Sequence, residues 1–359
     1  SRRQRQMCIR DRQIITPRND AYSLLFAVKV LLKVTVLIDT KTAIVIVTYK
    51  RKDLLKVLFE SFENMTLKPA QIFVVDNDND PDVGAMCKDL KLSLKETEVT
   101  WAPMEENLGG SGGFSKGVEL AFTAGYDWIW LMDDDVRVVS NALELLQPWM
   151  DEALINDHRA IQCSKLNFNG EPFYWQYQYL TGLGMLNPVA PSGFEENERF
   201  KPMNAVCFEG GLFHRSVIEE VGLPDPRFFI HWDDTMYGYL CSKVTHPILI
   251  PDVLMQRTRE QDHLRVGNVR KLNKASDMLR FHTMRNRGYM AQYLKEHNDY
   301  KPLSFQFGTA LTFGMECIRL FAGDKHDIPK GLKVLFEGMH TGRKLRHDTS
   351  WRPMPKLKD

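Results

Sequence analysis

The sequence lacks an excess of charge of either sign, and it has few cysteines. Among its 359 residues, 47 lysines and arginines balance 46 aspartates and glutamates, which leaves a formal net charge of +1. This balance argues against a general nucleic-acid-binding protein. The six cysteines are scattered without a CxxC pair. They predict reduced thiols in a cytoplasmic protein, and neither a zinc site nor a disulfide framework.

The sequence also lacks an uninterrupted hydrophobic run that could form a transmembrane helix. Ala21–Ile38 contains Lys29 and Lys33, and each lysine would cost about 2.5–3.5 kcal/mol near the centre of a bilayer. No small-residue cleavage site follows the run, so a signal peptide is not predicted. We expect a cytoplasmic protein that is soluble or bound peripherally to the inner face of the plasma membrane.

Four regions are predicted along the chain. Residues 1–12 have no periodicity or capping pattern and resemble translated read-through at the end of an assembled fragment, so we expect them to be non-native. Residues 13–41 are an N-terminal extension without an assigned role. Residues 42–270 form the predicted main domain. Residues 271–359 form a C-terminal helical region whose basic tail can contact anionic lipid.

Apolar strands alternate with amphipathic helices in the main domain. Ala43–Thr48 and Gln71–Val75 are typical of buried strands, and a helical pattern follows each. Further strands are expected over Asn204–Phe213, which contains a pair of glycines, and over Phe228–Trp232. The alternation predicts an α/β protein with a doubly wound, mostly parallel nucleotide-binding sheet flanked by helices.

Three carboxylates, Asp133, Asp134 and Asp135, follow the apolar run Trp128–Met132. Like charges this close repel and raise one another's pKa, so a positive group is expected among them. Groups just past the C-terminal end of a strand face the ligand crevice of an open α/β sheet. Two aspartates one residue apart suit a hard cation that also holds a diphosphate. A polar loop or a helix N-cap is the alternative that an isolated DxD sequence would favour.

The glycine-rich stretch Asn107–Gly113 precedes a predicted helix over Ser115–Ala124. Glycines at a helix start let the backbone approach a phosphate or a sugar, and the N-terminus of a helix favours anions. The stretch is not a GxGxxG fingerprint directly after a first strand, which disfavours a dinucleotide-dependent dehydrogenase.

Five short motifs occur in one order along the chain. They are VTYKR at 47–51, VVDN at 74–77, NLGGSGG at 107–113, LMDDDV at 131–136 and HWDD at 231–234. Together they resemble family 2 inverting glycosyltransferases of the GT-A fold, most closely bacterial galactofuranosyltransferases and rhamnosyltransferases of polysaccharide assembly. The resemblance covers roughly Thr42–Tyr293, and the ordered set is specific although each motif alone is not.

The resemblance implies a role for each motif. It makes Asp133 and Asp135 the ligands of Mg²⁺ or Mn²⁺. It makes Asp234 the general base and Asp233 a neighbour that contacts donor or acceptor hydroxyls. The residues implied to bind the nucleotide-sugar donor are Thr48, Tyr49, Arg51, Asp76, Asn77, Asn107, Gly109 and Asp134. The residues implied to lie near the transferred sugar and the acceptor are Glu209, Gly210 and Trp232.

Several of these residues also have an ordinary structural explanation. Asp76 and Asn77 can simply form a turn, because their side chains bond to nearby backbone groups. Asp233 and Asp234 can cap the following helix. The order of the motifs favours the functional interpretation.

Two positions depart from the family pattern. Met236 stands where relatives often carry an acidic residue, in a pattern like WDDxE. Relatives also often end a later strand with a histidine that binds the metal, and the corresponding window here is Leu254–Arg257. We expect His263, the nearest histidine beyond that window, or water to complete the metal shell.

The predicted function is transfer of galactofuranose from UDP-galactofuranose to a cell-surface glycan or a polyprenyl-linked acceptor. A rhamnosyltransferase that uses dTDP-rhamnose is the alternative, because uracil and thymine differ by one methyl group, which discriminates by only about 1–3 kcal/mol. A metal-dependent nucleotidyltransferase is more distant, since TYKRKDLL lacks the glycines expected after its first strand. The intact aspartates argue against a non-catalytic binding module.

Overall fold

A mixed sheet of ten strands forms the centre of the protein. The computed structural model describes residues 42–173, 178–186, 193–260, 263–266, 270–273, 275–323 and 327–358. For 263–266 and 270–273 it describes the backbone only. The predictions for residues 1–41 lie outside the described residues. The described residues belong to one compact unit.

The described strands are β1 (Thr42–Thr48), β2 (Gln71–Asp76), β3 (Glu98–Pro103), β4 (Trp128–Asp133), β5 (Val136–Val138), β6 (Ala160–Leu166), β7 (Pro172–Phe173), β8 (Lys201–Pro202), β9 (Gly211–His214), β10 (Ile248–Arg257), β11 (His263–Val266) and β12 (Arg270–Asn273). The described helices are α1 (Lys52–Glu63), α2 (Pro81–Ser93), α3 (Gly109–Thr123), α4 (Ala142–Asn156), α5 (Arg215–Val221), α6 (Asp233–Cys241), α7 (Asp277–Glu296), α8 (Pro302–Gly323) and α9 (Ile328–Arg346).

The main sheet has the strand order β3-β2-β1-β4-β9-β6-β10-β5, with β7 beside β6 and β8 beside β10. Strands β3, β2, β1 and β4 are parallel, and so are β6 and β10. Each antiparallel pair of this sheet involves one of the short strands β5, β7, β8 and β9. The predicted mostly parallel α/β sheet is therefore confirmed.

Strand β1 shows why the sheet needs helices on both faces. Ile44 and Ile46 pack into one apolar cluster with α1, and Val45 and Val47 pack into a second cluster with α3. Successive side chains of a strand point to opposite faces, so a strand with no polar side chain between Ala43 and Val47 must be covered twice.

Of two expected strands, one is shorter than predicted and the other is not a strand. Within Asn204–Phe213 only the last residues join a strand, β9, because Gly210 adopts φ +89° in the turn before it. Phe228–Trp232 is an irregular loop, and α6 begins directly after it. Its Phe228 and Trp232 side chains are buried against α7 instead of in the sheet. An apolar run alone does not distinguish these two kinds of burial.

The C-terminal region consists of α7, α8 and α9, as predicted. Helix α7 carries Arg287, whose buried guanidinium donates to the carbonyl oxygens of Leu183 and Gly184 and to Thr309 Oγ1 of α8. Among the described residues, no helix has both the length and the apolar character to cross a membrane.

Candidate active site

The predicted motifs meet at one edge of the sheet. The parallel register pairs Thr48 of β1 with Asp76 of β2. It also pairs Val47 of β1 with Asp133 of β4, so the three strands end side by side, where open α/β sheets bind ligands. A cavity of about 500 Å³ opens there. The predicted site residues that line it are Thr48, Tyr49, Arg51, Asn77, Asn107, Gly109, Asp133, Asp134, Glu209, Asp233 and Asp234.

The central aspartate of the triplet, Asp134, is held by the end of β1 and the start of α1. Thr48 Oγ1 donates to Asp134 Oδ2 at 2.7 Å, and Arg51 Nη1 donates to Asp134 Oδ1 at 3.0 Å. The Asp134 side chain is 2% exposed. Both of its oxygens are engaged, so any contact with a donor ribose or sugar has to share them.

Asp133 and Asp135 lie on either side of Asp134 in the sequence. Burial raises the pKa of Asp133 well above its ordinary value, and Asp135 and Glu209 raise it further. Burial also raises the pKa of Asp135, as does Glu209, whereas Arg51, with Nη1 3.5 Å from Asp135 Oδ2, lowers it. Burial is the largest cause of both shifts. Arg51 is the positive group that the sequence predicted among the three carboxylates.

The glycine-rich stretch is fixed to the neighbouring strand end by asparagine side chains. Asn77 Nδ2 donates to the carbonyl oxygen of Gly109 at 3.1 Å, and Asn77 Oδ1 accepts from the Leu108 amide at 3.3 Å. Asn107 Oδ1 accepts from the Gly109 amide at 2.8 Å. Gly109 has φ +72°, and a Cβ there would lie 2.0 Å from the carbonyl oxygen of Phe229. The N-terminus of α3 is thereby fixed beside the cavity.

Asp76 organises the turn after β2. Its fully buried carboxylate accepts from the backbone amides of Asp78 at 3.0 Å and Asp80 at 2.8 Å, and from Trp101 Nε1 at 3.3 Å. The turn expected as the structural explanation is therefore present, and it sets the position of Asn77. Tyr49 lines the cavity with 40% of its surface exposed.

Asp233 and Asp234 occupy the first turn of α6. Asp234 Oδ1 accepts from the Thr235 amide at 2.5 Å and from Thr235 Oγ1 at 3.2 Å. Burial, followed by the nearby Asp234, raises the pKa of Asp233 to about 8. Burial also raises the pKa of Asp234. Two neighbouring carboxyls with elevated pKa values can serve as an acid and a base.

A buried ion-pair network borders the acidic cluster, and sequence reasoning missed its cations. Arg257, at the end of β10, binds Glu209 through two hydrogen bonds of 2.7 and 2.5 Å. Lys165 of β6 has its Nζ 3.4 Å from Glu209 Oε1. Burial alone would raise the pKa of Glu209, but Lys165 and Arg257 lower it to about 2. The predicted sugar-side residue Glu209 is therefore paired with two cations in a buried charge network.

Other predicted residues lie outside the cavity lining. Trp232 is buried, and its Nε1 donates to the carbonyl oxygen of Thr283 at 3.3 Å. Gly210 forms the turn before β9. Met236, at the position where relatives often carry an acid, packs into an apolar cluster. His263 begins β11, but its side chain lies outside the described residues.

The donor set fits a hard divalent cation. Asp133, which lines the cavity, and Asp135, which lies outside its lining, supply carboxylate oxygens, the ligands that Mg²⁺ and Mn²⁺ prefer. Over the described ranges, no three His, Cys, Asp or Glu side chains already form a metal-binding group. One or two carboxylates would hold the cation, together with donor phosphate oxygens and water, as is usual for Mg²⁺.

An acidic cluster at a strand end and a second aspartate pair on the same cavity, in a sheet of this topology, define a glycosyltransferase of the GT-A fold. The chain belongs to glycosyl transferase family 2, whose sequence model matches residues 43–222. Two solved structures are similar in fold. They are S. aureus TarS 1-349 (TM-score 0.50, 11% identity, 85% of this chain and 88% of that chain) and GalNAc-T7 with UDP, GalNAc and Mn²⁺ (TM-score 0.50, 14% identity, 77% of this chain and 58% of that chain).

The chain is also similar to two curated proteins of one activity. Galactofuranosyltransferase GlfT1 of Mycolicibacterium smegmatis is 28% identical over 262 residues, which cover 68% of this chain and 81% of that protein. Galactofuranosyltransferase GlfT1 of Mycobacterium tuberculosis is 29% identical over 196 residues, 53% of this chain and 60% of that protein. The predicted resemblance to family 2 galactofuranosyltransferases is confirmed.

Proposed function

We propose that the protein transfers galactofuranose from UDP-galactofuranose to a hydroxyl group of a cell-surface glycan or lipid-linked acceptor, with inversion at the anomeric carbon. One observation carries the proposal. Asp133 at the end of β4 and the pair Asp233 and Asp234 at the start of α6 line the same cavity. The first position suits a departing diphosphate, and the second suits an attacking hydroxyl.

On the donor side, the diphosphate lies between the acidic cluster and the start of α3. The N-terminus of this helix favours anions, and Arg51 adds a positive charge beside Asp134 and Asp135. Asp133 and Asp135 would hold Mg²⁺ or Mn²⁺, which when bound neutralises the charge that develops on the leaving diphosphate. The uracil ring and the ribose of the donor contact the ends of β1 and β2, near Tyr49.

On the acceptor side, Asp234 is the general base. Thr235 orients its carboxylate, as expected of a base held by a supporting group. It takes the proton of the acceptor hydroxyl while the oxygen bonds to the anomeric carbon and the bond to the diphosphate breaks. Asp233, with a pKa near 8, is protonated at neutral pH and donates a hydrogen bond to a substrate hydroxyl. The single displacement inverts the anomeric centre.

The two GlfT1 relatives support the galactofuranose donor, and dTDP-rhamnose is the alternative. The test compares kcat/KM for UDP-galactofuranose and dTDP-rhamnose with one acceptor extract. We expect the UDP donor to be preferred. A preference for dTDP-rhamnose would overturn the choice of donor, and nucleotide release from neither would overturn the proposed activity.

We also propose that α8 and α9 dock on the anionic inner face of the plasma membrane. Leu303, Phe307, Leu311, Ile318 and Phe321 share one face of α8 and are 42–84% exposed. The charged residues of this helix are confined to the Glu316–Arg319 pair.

Helix α9 supplies a basic border to this apolar face. Phe336 of α9 packs against Phe313 of α8, with ring centroids 5.2 Å apart. By helical spacing, Lys333, His340 and Arg343 share the face of Phe336, and all three are exposed. Lys333 Nζ lies 3.8 Å from Glu337 Oε1, so Arg343 carries most of the net positive charge of this face. An apolar stripe with a basic border suits an anionic lipid surface.

A further inference from the structure

The loop before the Asp233–Asp234 pair has an unusual backbone. Phe229, His231 and Trp232 have φ values of +64°, +70° and +68°, in the left-handed region that bulky side chains rarely adopt. No glycine relieves this stretch. A loop of this kind persists only where its surroundings determine it, and it sets where the first turn of α6 begins.

One buried side chain, Asn286, makes most of the side-chain contacts to this loop, and its neighbour Arg285 adds a hydrogen bond from Nη2 to the carbonyl oxygen of Phe228 at 2.8 Å. Asn286 of α7 is fully buried. Its Nδ2 lies 2.9 Å from the carbonyl oxygens of Phe228 and Ile230 and 2.8 Å from that of His231. Its Oδ1 accepts from the Nε and Nη2 of Arg285 at 2.9 and 2.7 Å. The neighbouring guanidinium fixes the orientation of the amide, so that its N–H groups face the loop.

Asn286 does not contact the carbonyls of Phe229 and Trp232. The Trp232 oxygen accepts from the Met236 amide in the first turn of α6 at 2.9 Å, and the Phe229 oxygen is held from the opposite side. The Phe229 oxygen accepts from the backbone amide of Ser111 at 3.1 Å. Gly109, whose missing Cβ leaves room for that oxygen, belongs to the same glycine-rich stretch. The loop is thus clamped between the start of α3, where the donor is proposed to bind, and helix α7.

We infer that Asn286 is a positioning residue for the transfer step, because its amide holds the 228–232 loop in the shape that directs Asp233 and Asp234 into the cavity. Asn286 itself does not line the cavity, so it acts through the loop. The inference rests on the proposed glycosyltransferase function. A displacement of about 1 Å at a reacting group can lower a rate by about 10²-fold.

The test replaces the amide donors without changing the size of the side chain. Asn286→Asp keeps an oxygen for Arg285 and loses the N–H groups that face the three carbonyls. The matched control is Gln292→Glu on the same helix, where Nε2 donates to the carbonyl oxygens of Leu345 at 2.8 Å and Asp348 at 2.7 Å. Both changes turn an amide that bonds backbone carbonyls into a carboxylate, and Gln292 contacts a segment remote from the cavity.

Two rates are measured, the transfer of sugar to the acceptor and the hydrolysis of the donor by water. Each rate is divided by the concentration of nucleotide-binding sites, which calorimetry with UDP determines. We expect Asn286→Asp to bind UDP as the wild type does, to lose transfer by about 10²-fold, and to raise the ratio of hydrolysis to transfer at least tenfold. A general loss of folded protein would lower both rates equally. Asn286→Ala, which introduces no charge, should follow Asn286→Asp, and Gln292→Glu should resemble the wild type.

Three results would overturn the inference: equal ratios in Asn286→Asp and Gln292→Glu, an unchanged ratio in Asn286→Ala, or failure of both position-286 variants to fold while Gln292→Glu folds. Absence of transfer by the wild-type protein with UDP-galactofuranose and dTDP-rhamnose would instead overturn the proposed function on which the inference rests.

Discussion

Arg51 Nη1 lies 3.0 Å from Oδ1 of Asp134 and so places a positive charge within the acidic cluster. The carboxylate is buried, whereas the arginine side chain is 42% exposed, so solvent weakens the pair on one side only. Burial raises the pKa of Asp134, and Arg51 and Thr48 lower it. Because the Arg51 side chain is partly exposed while it contacts Asp134, its guanidinium can also bind an incoming diphosphate without leaving the acidic cluster.

Arg51→Gln should weaken UDP binding by about 10-fold or more, since a hydrogen bond to a charged group contributes about 1.5–3 kcal/mol. Calorimetry with UDP and Mn²⁺ measures the effect. Lys56→Gln is the control, because Lys56 is an exposed basic residue of the following helix α1 that does not line the cavity. Equal affinities of the two variants would contradict a donor-binding role for Arg51.

Asp135→Asn should abolish metal-dependent UDP binding and transfer while the protein stays folded, because it removes one of the carboxylates proposed to hold the cation. The measurements are UDP affinity with and without Mn²⁺ and the melting temperature. Turnover that is unchanged under strong chelation would contradict a metal-dependent reaction.

Regular elements could be predicted from the sequence because their patterns are local. The strands predicted over Ala43–Thr48 and Gln71–Val75 are observed with bounds that differ by one residue, and the ends of β1, β2 and β4 meet as their order along the chain implies. Connections between parallel strands follow a few rules of order and handedness, so a series of buried apolar strands is compatible with few sheet topologies.

The parts that were missed depend on contacts between distant segments. Glu209 is paired by Arg257 from β10, 48 positions away, and no local pattern predicts that β10 lies beside β6. The backbone of Phe228–Trp232 is likewise set by Asn286, more than 50 positions further on. The apolar residues of that stretch are compatible both with a strand and with a loop buried against a helix. The sequence pattern therefore led to a strand prediction that was wrong.

Asp234→Asn should lower turnover by about 10²–10⁴-fold, the usual contribution of a positioned base, and should spare UDP affinity. The comparison with Asp233→Asn assigns the roles, because both variants replace one carboxylate in the same helical turn. If Asp233→Asn reduced turnover much more than Asp234→Asn, the two roles would be exchanged.

Membrane docking predicts that Phe307→Ser combined with Phe321→Ser reduces co-sedimentation with phosphatidylglycerol-containing vesicles at least tenfold, since burying one such side chain contributes about 1.5–3 kcal/mol. The control is Leu92→Ser, because Leu92 on α2 is 77% exposed. Binding should weaken in high salt and on pure phosphatidylcholine. Unchanged binding of the double variant, or a wild-type dimer that this variant dissociates, would contradict a lipid surface as the occupant.

Asp233 should contribute a fall in the stability of the ligand-free protein as pH rises from about 4 to about 8, because the folded state keeps a proton on Asp233 that the unfolded state loses. Burial lowers the pKa of His231 to about 3 and that of His282 to about 4, so these side chains contribute a rise below about pH 6.5. Burial and Asp234 raise the pKa of Asp233 to about 8, against about 3.9 for an unfolded aspartate. At Asp233 the folded state therefore binds more protons in this window, and each pH unit removes at most about 1.4 kcal/mol. Denaturant unfolding at pH 5, 6.5 and 8 measures the slope. Asp233→Asn should flatten it, whereas Asp151→Asn on the exposed surface of α4 should not. A slope that Asp233→Asn leaves unchanged would mean that this carboxyl is already ionised at neutral pH, and the proposed hydrogen-bond donor would then have to be another group.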